Sequence, residues 1–574
     1  MQKWHKLKNP AAFAAVRSER MRFWHQWGQA RAWFAQRGLA LEVTLAYGAL
    51  VAVFLTALAQ FYIPGKGFTY LIAFGAKQED TRLSKLRKLE FHVERNSDGY
   101  DAQYYAQIAM DPSLQNTQLR HAVDSLPYRA RRILFPAVAY AFGFGEPSAI
   151  LQAYALLSAV SWLLLAAVLL HWFPPRSWNN FIRWTGLLFS FGVCVSVRNA
   201  LVDGPSLLLI AFGILLLEKG RPWWAAAVLA VSGLGKETNL LAAAALLPAT
   251  RGPARNWLIA ALRGVLVVTP LALWIVYITL TVGPAGDPGA RNFDLPFAAY
   301  LRKWTEIANA WSDLSVANPW PLWGLFMLVA LTAQSLYLVL RPQWNQAWWR
   351  IGISYAVLMI FLGDAVWEGY PGAASRVLLP MQLAFNILVP SAGRGWLTVL
   401  LLGNLTLWAA PTTLRAPAGE GYVLRAGSEL YTNAKGDRFR VTYLSGWYGP
   451  EEGSSSYWNW AAGDAALSIH NPHAKPMVTR FRFGLTAEGS RQVIVRLNGV
   501  ELWQIPIPVG AKISLNLPNL MLPPGQNRID FVTDKPPGRR LPDLRFFTFC
   551  IHDLRIDALR FEEPPGAEAG SRGE

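Results

Sequence analysis

What most constrains the fold of this chain is a recurrence of apolar runs from about residue 41 to about residue 411, long enough to cross ~30 Å of hydrocarbon as helices. With 53% hydrophobic and only 16% charged residues in a chain of 574, this reads as a polytopic α-helical membrane protein rather than a soluble one. Spans fit at residues 41–62, 148–172, 181–197, 201–218, 223–234, 237–250, 256–282, 319–340, 347–364, 376–392 and 395–411, about eleven in all. Two of these, 223–234 and 237–250, are short for full crossings, and their fusion into one span would move every later loop to the other side. The stretch 133–145, short and carrying Pro136, suits a re-entrant or surface helix better than a crossing.

Charge orients the spans. Residues 1–40 hold Lys3, Lys6, Lys8, Arg17, Arg20, Arg22, Arg31 and Arg37 against Glu19, interleaved with Trp4, Phe13, Trp24 and Trp33. That is the composition of an amphipathic segment on an anionic inner leaflet, and it keeps the N-terminus cytoplasmic. Counting crossings from there puts Arg176, Lys219, Arg221, Arg251, Arg255, Arg341, Arg350 and Arg394 inside. The loops that look chemical all fall outside: the large first loop 63–147, Arg198–Gly204, Gly235–Thr238, Arg291–Asp294 and Trp367–Arg376. The net charge of +17 is spread over membrane-flanking loops, which suits orientation and anionic lipid and argues against a nucleic-acid partner. Two cysteines, Cys194 and Cys550, make no disulfide framework, and no cleavage site follows the basic N-terminal stretch.

After a linker at 412–435 the periodicity changes to two. Alternating stretches at Arg438–Tyr443, Ala466–Ile469, Thr479–Phe483, Gln492–Leu497, Lys512–Leu517, Arg528–Val532 and Phe546–His552 predict an all-β sandwich over 436–562, with a hairpin turn at Asn498-Gly499. By parity it lies on the extracytoplasmic, periplasmic side, and 563–574 is a flexible tail.

Two clusters in the first outer loop carry the chemistry. Arg95-Asn-Ser-Asp-Gly-Tyr-Asp-Ala-Gln-Tyr-Tyr105 supplies Asp98 and Asp101 with Tyr100, Tyr104 and Tyr105. The bland reading is that Asp98 caps a surface helix and Asp101 reaches back to it. Capping does not call for three tyrosines beside a membrane, whereas aromatic faces with carboxylates suit a sugar ring. An acid placed there can take the proton of an acceptor hydroxyl as it attacks an anomeric carbon, with inversion if the leaving group departs from the opposite face; Asp98 is the residue chosen for that base. Downstream, Tyr128-Arg-Ala-Arg-Arg132 supplies Arg129, Arg131 and Arg132, either as lipid-headgroup contacts or as donors to a leaving phosphate. Lys236, opening a helix, and Arg376, entering another, offer further cations to the same anion, and Glu237 beside Lys236 is a further substrate contact. Gly235-Lys236-Glu237-Thr238 is not a nucleotide-binding P-loop, because the upstream glycine and the following Ser or Thr are missing. Glu368, and Arg198 with Asp203, read as mutual or lipid pairs. His92, Glu94 and Asp98 match no zinc spacing and leave a divalent ion open.

These motifs resemble those of the GT-C superfamily of integral-membrane glycosyltransferases: Asp98-Gly-Tyr-Asp-Ala-Gln-Tyr-Tyr105 resembles the acidic first outer loop of the GPI-type mannosyltransferases and their bacterial relatives, and Tyr128–Pro136 and Lys236–Thr238 resemble the branch linked to cell-surface glycopolymers. The resemblance implies a transmembrane catalytic domain over 41–411 in the bacterial inner membrane, a polyprenyl-phosphate sugar donor, a glycan or glycolipid acceptor, and an essential acid, here Asp98. Asp98-x-x-Asp101 in place of adjacent acids leaves a magnesium or manganese requirement open. The tail resembles carbohydrate-binding β-sandwiches, with Trp447, Glu451, Trp458 and Trp460 as glycan contacts or packing. The rivals are a lipid-linked sugar flippase, which would show internal repeats and midplane charges, a histidine-dependent acyltransferase, for which His121 and His171 form no constellation, and a non-enzymatic glycan-binding anchor.

Overall fold

The structure is a computed structural model that describes residues 28–562 apart from 30, 33, 37, 64–65, 87–88, 90, 95–96, 249–252, 285, 287–288, 316–317, 370–371, 416–420, 424–438, 453–456 and 540–544. The basic segment 1–27, most of the linker and the tail 563–574 therefore lie outside the described residues. The chain divides into two compact units. The helical unit ends at Ala416; the β unit begins at Pro417 but also takes Gly75–Glu79 and Val93–Asp98 from the first large loop.

In the helical unit, four helices among the described residues are long and apolar enough to cross a membrane: Leu41–Ala59, Pro147–Leu169, Ala254–Thr281 and Trp320–Leu340. A bent pair, Trp178–Leu188 and Phe191–Arg198, inclined at 46°, makes a fifth if it is one broken span. The sequence expectation of about eleven spans is thus larger than what the helices meet by length. Several of the remaining runs are interrupted: 376–392 divides into Ala374–Val377 and Leu379–Leu388 before Pro380, and 395–411 into Arg394–Leu402, the 3-10 turn Leu405–Ala409 and Ala410–Thr413. The segment 133–145 holds one helix, Leu134–Phe142, whose nine residues rise roughly 13 Å and cannot cross. The chain reverses at Gly235-Lys236, so that the helix Pro222–Gly233 and the 3-10 segment Glu237–Leu246 run as two separate legs.

Aromatic packing knits the unit, with Phe54 stacked on Trp162 at 3.8 Å. Polar groups inside apolar surroundings must find internal partners. The indole of Trp162 donates to Leu188 O and that of Trp184 to Ala166 O, while Gln382, Asn386 and Asn404 bond one another.

Among the described residues the β unit is built mainly from two antiparallel sheets, with a small two-stranded pair at Gly538–Arg539 and Phe546–Phe547. The six-stranded sheet has the order Val500–Ile507, Arg491–Leu497, Gly525–Thr533, Ala465–Asn471, Arg440–Tyr443, Gly421–Val423; the five-stranded sheet runs Ile513–Leu522, Met477–Ala487, Phe549–Phe561, Tyr457–Ala461, Trp447–Glu452. Period-two alternation turns Val493, Val495, Ile529 and Phe531 of the first sheet and Phe481, Phe483, Leu485 and Ile551 of the second into one hydrophobic core. Asn498 and Gly499 both adopt positive φ, the geometry of the two-residue turn that joins Arg491–Leu497 to Val500–Ile507.

Candidate functional site

A cavity of about 920 Å³ opens in the helical unit, and most of the residues singled out by sequence line it: Tyr100, Asp101, Tyr105, Arg129, Arg131, Arg132, Lys236, Glu237 and Arg376. Tyr104 does not line it but stands behind Arg129, whose guanidinium lies 5.2 Å from its ring. Asp98 is exposed, groups with the β unit, and is not among the lining residues.

The acidic cluster reaches the cavity because Gly99 takes φ +78°, a left-handed turn that side chains resist, after which Asp101–Ile108 forms a helix. Its N-cap is Tyr100, whose side chain makes no capping hydrogen bond, and Asp101 is the first residue of the helix. Behind the helix, buried Gln107 accepts from Leu83 N and donates to Ala122 O, holding the loop. The Asp101 carboxylate meets Arg129 at 3.0 Å, and Arg129 also grips Asp124 through Nε (3.0 Å) and a terminal nitrogen (2.7 Å). Burial alone would lower the Arg129 pKa, but the Asp124 hydrogen bond and the surrounding negative charge hold it above its usual value.

Arg132 is the hub. It donates to Glu237 at 2.9 Å, to the Tyr105 hydroxyl at 2.8 Å and to the Tyr128 hydroxyl at 3.3 Å. Burial raises the Tyr105 hydroxyl's pKa, against the opposing pull of Arg132 and Arg129. The two basic motifs are spliced through backbone: Leu134 N donates to Leu234 O at 3.1 Å. Gly235 is required beside that splice, since a Cβ there would sit 2.8 Å from the Phe135 ring.

The third cluster joins Lys236 and Arg376, both singled out by sequence, to an aspartate that was not expected between them. Asp203, only 7% exposed, accepts from Lys236 Nζ at 2.5 Å and from Arg376 at 3.2 Å, and Arg376 also donates to the Tyr100 hydroxyl at 3.2 Å. The expected pairing of Asp203 with Arg198 is replaced: the Arg198 guanidinium lies 4.3 Å from the Tyr70 ring centroid. Ser196 positions the aspartate's turn by accepting from Gly204 N and donating to Leu201 O. Glu368 pairs with Arg291 at the exposed rim, and Asn292 donates to the Tyr128 hydroxyl at 3.2 Å.

Arg131 completes the inventory. It lies 5.8 Å from the Tyr128 ring and, among the described residues, has no carboxylate partner. The cavity thus offers four carboxylates, Asp101, Asp203, Glu237 and Glu368, each paired with a cation, together with a wall of guanidinium and ammonium groups and apolar flanks at Phe191, Val195, Leu358 and Leu362. Among the described residues no three His, Cys, Asp or Glu side chains are grouped so as to hold a metal ion.

In the β unit, Trp447 and Trp460 are packing residues: Trp447 stands edge-on to Tyr443, Phe531 and Phe549, and Trp460 lies 4.7 Å from Phe547. Trp458 is half-buried and donates to Glu451 at 2.7 Å, and Glu451 is bridged by Arg545 at 2.8 Å.

No family model and no curated protein matches the chain. Among solved structures, the arabinosyltransferase EmbB from Mycobacterium smegmatis aligns over 89% of this chain and 64% of its own at 12% identity, with a TM-score of 0.33. A mutant of a family 29 carbohydrate binding module aligns over 22% of this chain and 88% of its own at 18% identity, with a TM-score of 0.15. A second mutant of that module, complexed with mannohexaose, aligns over 21% and 92% at 15% identity, with a TM-score of 0.14. Likenesses at these scores carry no argument about the site, whose chemistry stands on its own residues.

Proposed function

We propose that the chain is a GT-C-like inverting glycosyltransferase that moves a sugar from a polyprenyl-phosphate donor to a cell-surface glycan or glycolipid on the extracytoplasmic side of a bacterial inner membrane. The observation that carries this reading is the convergence, in one cavity, of four carboxylates, tyrosine rings and five basic side chains drawn from segments far apart in sequence. In the reaction, an acceptor hydroxyl oxygen bonds to the anomeric carbon and passes its proton to a carboxylate. The carbon–oxygen bond to phosphate breaks, and the phosphate leaves with the electron pair. Arg131, Arg132, Lys236 and Arg376 stabilise that departing charge, a role supported by their lining the one cavity, and the prenyl tail lies along the apolar flank.

Two carboxylates are offered as the base. Asp98 is the one the loop motif favours, and Asp101 is the one on the cavity wall. Turnover of a radiolabelled polyprenyl-phosphate sugar by purified protein decides between them. Asp→Asn at the true base lowers turnover about 10²-fold or more with folding unchanged, and at the other it does not. Full activity in both variants rejects the mechanism, and no turnover by the wild type with any such donor favours the non-enzymatic anchor. In that second reading the β unit binds glycan through Trp458 and Glu451.

A further inference from the structure

A second cavity, of about 450 Å³, opens at the opposite end of the helical unit. Three elements place it there. The helix Asp203–Glu218 sends Asp203 into the first cavity and Glu218 into the second, the segment Glu237–Leu246 sends Glu237 and Leu246, and the helix Ala347–Phe361 sends Leu358 and Arg350. Along Asp203–Glu218, at ~1.5 Å per residue, the two sites are roughly 22 Å apart.

The second cavity is lined by two arginines that lack an anionic partner. Arg350 is 5% exposed, and its guanidinium donates only to backbone carbonyls: Ala244 at 3.0 Å, Ala245 at 2.8 Å and Trp344 at 2.5 Å. Arg263 lies 5.1 Å from the Trp223 ring, and its Nε is buried without a hydrogen-bond partner. The one carboxylate on the wall, Glu218, already accepts from the Trp172 indole at 2.9 Å and faces His171 at 3.1 Å. Among the described residues, no carboxylate balances either arginine. A cation withdrawn from water without a counter-charge, as Arg350 is, is costly, and a cavity beside it that also meets the buried, unbonded Nε of Arg263 is a place for an anion to offset that cost.

The surroundings say which anion. Exposed Trp223, Trp224, Trp257 and Trp344 gather at this end, as tryptophans do at a membrane–water boundary. On the helix that carries Arg263, Leu258, Leu262, Val265 and Leu266 are exposed to whatever surrounds the protein. Arg221 and Arg341, in the turns at helix ends, flank the same end. A polar, cationic pocket that opens onto an apolar helix face inside a tryptophan belt fits a molecule with a phosphate head and acyl tails. We propose that this cavity is a binding site for an anionic phospholipid, its phosphate held by Arg263 and Arg350 and its chains lying along the Leu258–Leu266 face. The proposal depends on the helical unit being membrane-embedded, but not on transfer chemistry at the first cavity.

Full-length protein, stripped of lipid in detergent, tests this by native mass spectrometry after incubation with phosphatidylglycerol or phosphatidylcholine. The expected result is selective retention of phosphatidylglycerol. Arg263→Gln should reduce that retention about 10-fold, as befits loss of a charged hydrogen bond. Arg263→Lys should restore part of it, and Arg255→Gln, at an exposed arginine on the same end, should leave it unchanged. Thermal melting of lipid-free Arg263→Gln at the wild-type temperature shows that the loss is one of binding. Equal retention of the two lipids, or unchanged retention in Arg263→Gln, overturns the proposal. Displacement of phosphatidylglycerol by equimolar inorganic phosphate overturns the lipid as occupant and leaves a free-anion site. Sugar transfer is not the readout, so failure here and failure of the transferase reading remain distinguishable.

Discussion

At the scale of single residues the site turns on Asp203. Its carboxylate stands between Lys236 and Arg376, with Asp203 and Lys236 buried and Arg376 partly so, and one negative charge supports two positive ones and leaves an excess for an incoming phosphate. Removing it strands two cations in a poorly solvated wall. Asp203→Ala should cost about 3–5 kcal/mol of stability, visible as a lowered melting temperature in detergent; a melting temperature equal to the wild type's would mean that the triad is not closed in the folded protein. Asp203→Glu should cost less, because a carboxylate remains. Sequence reading saw this residue but gave it the wrong neighbour, and the reason is physical. Arg198 is five residues away, while the true partners are 33 and 173 residues away and meet Asp203 only through packing of separate helices. Asp124, which holds Arg129, carried no signal at all, because an aspartate before Ser125-Leu126-Pro127 looks like any loop acid. The tyrosines and arginines were legible because they are dense in short stretches, and density of that kind has few structural uses on a loop.

Elements were legible where one physical period dominates. Uninterrupted apolar runs such as Pro147–Leu169 and Trp320–Leu340 came through as single helices, and Asn498-Gly499 marked its hairpin because only a few residues accept positive φ twice in succession. Two runs did not, one interrupted at Leu378 ahead of Pro380 and the other at Gly403-Asn404, whereas 256–282 kept a single helix across Pro270. Apolar content continues through such breaks while helical geometry does not, so 376–392 and 395–411 read as spans and fold as short pieces. The turn at Gly235 is the break with most consequence, because it brings Lys236 to Asp203 and Glu237 to Arg132 while its own backbone presses on Phe135. A methyl group there would lie 2.8 Å from that ring. Gly235→Ala is expected to cost about 1–3 kcal/mol by overpacking, and the double variant with Phe135→Leu should recover part of the loss, the non-additivity expected of residues in contact. Denaturation of the four proteins of that cycle checks it; strictly additive effects would place the two residues apart.

For the whole molecule, the arrangement of the two cavities makes a statement about sidedness. Segments that carry the acidic and basic motifs meet at one end of the helical unit, and the short arginine-bearing turns collect at the other. A bilayer between them would put the first end outside and the second in the cytosol, since basic loops are retained on the cytosolic side. The protein is well suited to testing this by thiol labelling, because its two native cysteines, Cys194 and Cys550, are both buried and give little background. Glu368→Cys places a thiol at the exposed rim of the first cavity, and Lys219→Cys places one beside Glu218 at the other end. A membrane-impermeant maleimide added to intact spheroplasts should modify the first and reach the second only after permeabilisation. The reverse pattern would invert the protein in the membrane and expose the carboxylates to cytosolic rather than lipid-linked donors. Modification of both from outside would mean that no bilayer separates the two ends, and the lipid-based chemistry of both cavities would fall with it.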